Sequence, residues 1–165
     1  MFKSYLLRTS ALLSCIICLL LSSCARKEFS DTLNCSELSN AIQTEILTDG
    51  EYAQYSLQDI EFMFDESYLP ESYSVIYSVS SDDIGEIGIF RADSLENSQE
   101  LFDEVLDYIS ELKEEKSSFV KNYLPHEQSK LDNAQAKQFG KYVVFTVLDS
   151  SERDAVFKKI EQLLD

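Results

Sequence analysis

Residues Tyr142 to Leu148 read Tyr-Val-Val-Phe-Thr-Val-Leu, apolar at every position except Thr146. Successive side chains of a strand point to opposite faces, so such a run can be a strand only inside a sheet that is covered above and below. Residues 134–139 precede it across Gly140-Lys141 and read as its hairpin partner. The rest of the chain must supply the other strands and the helices that cover both faces.

An earlier hairpin fits that demand. Tyr73, Val75, Tyr77 and Val79 alternate with Ser72, Ser74, Ser78 and Ser80, with Ile76 the exception. This pattern predicts a half-buried strand whose serine face is solvated or lightly covered. Ser81-Asp82-Asp83 makes the turn, and Ile84 to Arg91 returns antiparallel. From about Ser94 a long amphipathic helix is expected, with Leu101, Val105, Tyr108/Ile109, Leu112 and Phe119 inward and Phe102 and Leu106 widening the stripe. Asp103, Glu104, Asp107, Glu111, Glu114 and Glu115 fall on its other side, and Pro125 ends the region. Ser151 to Asp154 matches a capping box that opens a closing helix with Val156, Ile160, Leu163 and Leu164 inward.

Upstream, Leu38, Ala41, Ile42 and Ile46 share one helical face that stops at Asp49-Gly50, and a second short helix is expected from Ser56 with Leu57, Ile60 and Phe64 inward. The expected fold is α+β: an antiparallel four-stranded sheet built from two ββα units, with N-terminal helices. The two hairpins also resemble each other, Gly85 to Phe90 against Gly140 to Phe145; shared turn chemistry explains this, and an ancient duplication is the alternative.

The N-terminus carries an address. Lys3 and Arg8 precede the short apolar run Ala11 to Leu21, which has the form of an export signal and is too short for a conventional span of about 30 Å of hydrocarbon. Leu21-Ser22-Ser23-Cys24 follows and resembles the lipobox of bacterial lipoproteins. An ordinary secretory cleavage would suit Ser22 and Ser23 but leave the cysteine unexplained. The resemblance implies that Cys24 is diacylated on sulfur, as a diacylglyceryl cysteine of the palmitate class, and becomes the first mature residue. The expected organisation is a signal peptide over 1–23, a lipidated tether over 24–35 and one α+β domain over 36–165. The expected location is the extracytoplasmic face of the cell membrane.

Charge narrows the partners. The chain has 14 Lys+Arg against 30 Asp+Glu, a formal −16, and signal removal would take away two cations and no acid, leaving −18. Nucleic acid, which needs a basic surface to release counterions, is a poor partner. Anionic headgroups are also repelled, so membrane attachment must come from acyl chains, and two of them give stable anchoring. After processing only Cys24 and Cys35 would remain, so no internal disulfide framework forms; Cys35 reads as a small residue of the tether, with an intermolecular bridge as the alternative.

Taken together, the lipobox, the short tether, the N-terminal helices, the Glu86 to Phe90 strand, the acidic helix, the Gly140 to Val144 strand and the closing helix resemble an uncharacterised domain family of small Gram-positive lipoproteins. That resemblance implies an outward-facing anchored domain and brings no catalytic residue with it.

Side-chain chemistry adds little. The single histidine, His126, follows Pro125 in a loop with no nucleophile elbow in the chain, and reads as solvent-facing. One His and one free Cys cannot make a zinc site of ordinary composition, and no phosphate loop or dinucleotide fingerprint is present. Asp82, Asp83 and Glu86 form the densest acidic turn and are the candidate calcium ligands, without EF-hand spacing; turn residues of this kind need no metal to explain them. No cofactor is expected. The reading favours a non-enzymatic lipoprotein that binds or accompanies an envelope protein or cell-wall component. The alternative is a cell-surface hydrolase using carboxylates, which would need a buried pair of acids in a cleft.

Overall fold

The computed structural model describes residues 28–64 and 70–165. Helix α1 (Cys35–Glu45) leads to the short strand β1 (Tyr52–Gln54) and α2 (Leu57–Met63). The hairpin β2 (Ser72–Ser78) and β3 (Glu86–Arg91) precedes the long α3 (Asn97–Tyr123), and a 3-10 turn (Pro125–Glu127) runs into α4 (Gln128–Asp132). The second hairpin, β4 (Gln135–Phe139) and β5 (Tyr142–Val147), is followed by α5 (Ser150–Leu164).

All strands join one sheet of order β1-β2-β3-β5-β4, and each neighbouring pair is antiparallel. The sheet therefore has five strands, which corrects the expected four. The additional strand is only three residues long, too short to display an alternating pattern, and it is defined by its partner: Tyr52, Ala53 and Gln54 stand opposite Ser78, Tyr77 and Ile76. By pairing there it occupies the open edge of β2, which would otherwise present unsatisfied backbone groups. The backbone bonds from Tyr55 N to Val75 O (2.9 Å) and from Val79 N to Glu51 O (3.0 Å) extend it at both ends.

Alternation along β3 and β5 sorts the core into two layers. Ile87, Ile89, Tyr142, Val144 and Leu148 face α1 and α5, where Leu38, Ile42, Val156, Ile160 and Leu164 close over them. Phe90, Val143, Phe145 and Val147 face the other way, against Ile60 and Phe64 of the α2 region and Leu101, Val105, Ile109 and Leu112 of α3. Val144 and Phe145 are both fully buried, on opposite sides. The N-terminal helices thus divide between the faces, α1 with the closing helix and α2 with the long one.

The serine face of β2 is covered, contrary to the sequence expectation. Ser74 is 2% exposed and Ile76 3%. Small side chains here let α1 approach closely enough for the Cys35 thiol to donate to Ser72 O at 3.3 Å. Cys35, read as a tether residue, is the first residue of α1 and fully buried, and that burial pushes its thiol up to about 11.

Helix ends follow local chemistry. Asn34 with Glu37, and Ser56 with Asp59, form complete capping boxes at α1 and α2. The box expected at Ser151 is not used: α5 starts at Ser150 after Asp149. On α3, Phe119 is 51% exposed and Leu106 42%, so neither belongs to the inward stripe. The helix stops at Tyr123, one residue short of the one before Pro125, which proline disfavours in helical geometry. Gly140 adopts φ +59 in the β4–β5 turn, a conformation that suits glycine.

Candidate functional site

The β2–β3 turn and α4 meet at one end of the sheet, and Lys130 is what joins them. Glu127 and Lys130 are spaced i,i+3, so both reach the same side, and Lys130 Nζ lies 3.0 Å from Glu127 Oε2 and 2.6 Å from Asp83 Oδ1. Two backbone donors complete the arrangement: Ile84 N donates to Glu127 Oε2 at 3.0 Å and Gly85 N to Asp83 Oδ1 at 2.7 Å. The Lys130 and Glu127 side chains are only 14% and 8% exposed, a burial that charges tolerate when they are paired and hydrogen-bonded. Burial works against ionisation of Asp83, but the hydrogen bonds from Lys130 and Gly85 outweigh it and hold the carboxyl below its ordinary value. Burial likewise opposes the Lys130 charge, and its bonds to Asp83 and Glu127 prevail and raise its pKa.

A cleft of about 580 Å³ opens beside this ionic clamp, with Asp49, Glu51, Asp82 and His126 along its walls. Asp82 accepts from the Ser80 hydroxyl, which lowers its pKa. The His126 side chain is 60% exposed, and its Nε2 lies 3.2 Å from Asp82 O.

Glu86 takes no part in the cleft. As the first residue of β3 it points to the α3 side of the sheet, 1% exposed, where Tyr108 donates to its Oε1 at 2.6 Å and Tyr55 donates as well. Desolvation raises its pKa, and the two tyrosine bonds and the charge of Lys116 offset this only in part. Strand parity explains the separation. Asp82 and Asp83 lie in the turn, while Glu86 is already in the sheet and turned toward the aromatic layer.

The three candidate calcium ligands are therefore not brought to one point, and among the described residues no group of three or more His, Cys, Asp or Glu is arranged to hold a metal. Asp83 and Glu127, the most buried of the cleft's acids, are not the separated acid and base that glycoside hydrolysis uses. Asp83 and Glu127 share the same ammonium group, and Glu86 is sealed behind Tyr108. Cys24 and the lipobox residues Leu21, Ser22 and Ser23 lie outside the described residues. Sequence reasoning missed Glu127 and Lys130; their i,i+3 spacing just after Pro125 was the available signal, and nothing local connects it with Asp83, 47 residues away.

Comparison with known proteins places the sequence without assigning it a chemistry. A family model described as "Domain of unknown function (DUF4358)" matches residues 54–148, more than half of the chain, and the protein belongs to that family. No curated protein and no solved structure matches it significantly. Among the described residues no helix is long and apolar enough to cross a membrane.

Proposed function

We propose that this member of the family is a lipoprotein held on the extracytoplasmic face of the cell membrane by a diacylglyceryl Cys24, a reading that rests on the sequence before the matched residues. In this reading its domain is a non-enzymatic binding or accessory module for another envelope component. The observation that carries the anchor is the sequence order of Lys3 and Arg8, the apolar run Ala11 to Leu21, and Leu21-Ser22-Ser23-Cys24. What favours binding over hydrolysis is the state of two of the cleft acids: Asp83 and Glu127 are engaged by Lys130 and backbone N–H groups, which suits a rigid surface better than proton transfer.

Metabolic labelling with a fatty-acid analogue tests the anchor. The wild-type protein should take up the label, and Cys24→Ala should lose it together with signal cleavage at this site. Label retained by Cys24→Ala would refute the assignment. The module is tested by incubating the purified domain with cell-wall glycan. Release of reducing ends by the wild type, lost in Glu127→Gln or Asp83→Asn, would replace the binding reading with the hydrolase.

A further inference from the structure

We propose that the domain stands upright on the bilayer, with the end formed by Phe29, Leu95 and the Gly140-Lys141 turn as its phospholipid-contacting surface. This inference rests on the anchor at Cys24 and adds the orientation that the anchor alone leaves open.

The argument begins with reach. Five Cα steps separate Cys24 from Phe29, which can span at most about 18 Å when fully extended. From Phe29 onward the chain is fastened to the domain. Its ring packs edge-on against Phe139 with centroids 5.7 Å apart, and Ser30 N donates to Leu164 O at 2.8 Å. Asp31 O accepts from Arg91 Nη1 at 2.9 Å while the Asp31 carboxylate pairs with Lys141 at 2.9 Å, and Tyr142 donates to Leu33 O at 2.5 Å. These partners are the last residues of β3 and β4, the start of β5, the β4–β5 turn and the end of α5. They all belong to one end of the sheet, so a short leash ties that end to the lipid.

The opposite end lies far from it. Helix α3 begins beside the tether, where Gln138 donates to Ser98 at 2.7 Å, and its 27 residues run about 40 Å to Tyr123 and the turn that bears His126. The cleft around Lys130 is at that far end.

Two features fit the tethered end to a membrane interface. A cavity of about 490 Å³ opens there between Phe29, Leu95 and the Gly140-Lys141 turn, with Glu28 and Asp31 also on its wall, the latter paired with Lys141. Leu95, 52% exposed, is an aliphatic side chain that lines the same cavity as Lys141, as suits the boundary between headgroups and acyl chains. Lying down on α3 would instead press exposed Asp103, Asp107, Glu111, Glu114 and Glu115 against anionic headgroups. The α5 flank, which carries Lys158 and Lys159, is the competing contact, and the experiment includes it.

The test uses the full-length acylated protein in phosphatidylethanolamine/phosphatidylglycerol vesicles that contain a headgroup-nitroxide lipid. Single cysteines at Leu95→Cys, Glu111→Cys, Tyr123→Cys and Lys158→Cys carry a fluorophore; Cys35 is fully buried and should remain unlabelled, as the parent protein checks. Quenching at position 95 should exceed that at the other three several-fold. A flexible Gly/Ser linker of about twenty residues between Lys27 and Glu28 should abolish the difference while the protein still floats with the vesicles. Equal or stronger quenching at 111, 123 or 158 in protein that floats would overturn the orientation and leave the anchor standing. Protein that neither floats nor takes up a fatty-acid analogue would overturn both.

Discussion

A Cβ added to Gly88 would overlap the ring of Phe145, its cross-strand partner. Glycine is needed there for space: the Phe145 ring lies over β3 and meets Phe90 and Tyr108 at 6.0 and 5.3 Å. Phe145→Ala should cost about 3 to 5 kcal/mol, a large share of a domain stability of about 5 to 15 kcal/mol. Gly88→Ala should cost about 1 to 3 kcal/mol by overpacking. In the Phe145→Ala background the added methyl finds the vacated space, so a double-mutant cycle read by chemical denaturation should show the Gly88→Ala cost largely removed; strict additivity would mean that the ring is not what glycine makes room for. Glu86 makes the second prediction at this scale. Its native pKa is raised, so from the ordinary 4.5 upward the unfolded chain loses this proton while the native state retains it, and the group subtracts stability as pH rises until its native pKa is passed. Glu86→Gln, which can still accept from Tyr108, should remove that decline and be the more stable protein at pH 7. Parallel stability-against-pH curves for the two proteins would refute it.

Among the elements, the legible ones were those with a period of their own. β5 announced itself by apolar character on both faces, β2 by alternation, and α3 by its stripe through Leu101, Val105 and Leu112, and each is in the structure. Elements that exist through a partner were not legible. β1 is three residues that become a strand only opposite β2, and Ser74 reads as solvated unless one knows that α1 covers it. Phe119 continues the spacing of the α3 stripe, yet it is half exposed, a difference that no helical period can reveal. The candidate site failed for the same reason: Asp83 and Lys130 are brought together by the placement of α4, and parity rather than proximity in sequence sent Glu86 elsewhere. The clamp yields a prediction about these elements. Lys130→Met leaves Glu127 and Asp83 partly buried without their cation and should cost about 3 kcal/mol. Amide hydrogen exchange should then rise first at Ile84 and Gly85, whose N–H groups bond those carboxylates. Unchanged protection at the turn would show that α4 is held by other contacts.

At the scale of the molecule, the family match and the folding unit do not coincide. Residues 54–148 contain α2, α3, α4, strands β2 to β5 and part of β1, but neither α1 nor α5. Those two helices cover an entire face of the sheet. Without them Ile76, Ile87, Ile89, Val144 and Leu148, all 3% exposed or less, would meet water together with the unpartnered hydroxyl of Thr146 on the same central strand. Apolar burial contributes about 25 cal/mol per Å², and a sheet stripped of one layer loses much of it while the cost of ordering its backbone remains. A fragment of residues 54–148 should therefore collapse without fixed packing, binding a hydrophobic dye and melting without a cooperative transition, whereas residues 28–165 should unfold in one step. Supplying α5 alone should not rescue the fragment, because Cys35, Leu38 and Ile42 of α1 cover the β2 and β3 side of the same face. A sharp two-state melt of the 54–148 fragment would show instead that the α3 layer suffices, and that α1 and α5 are additions to an independently stable core.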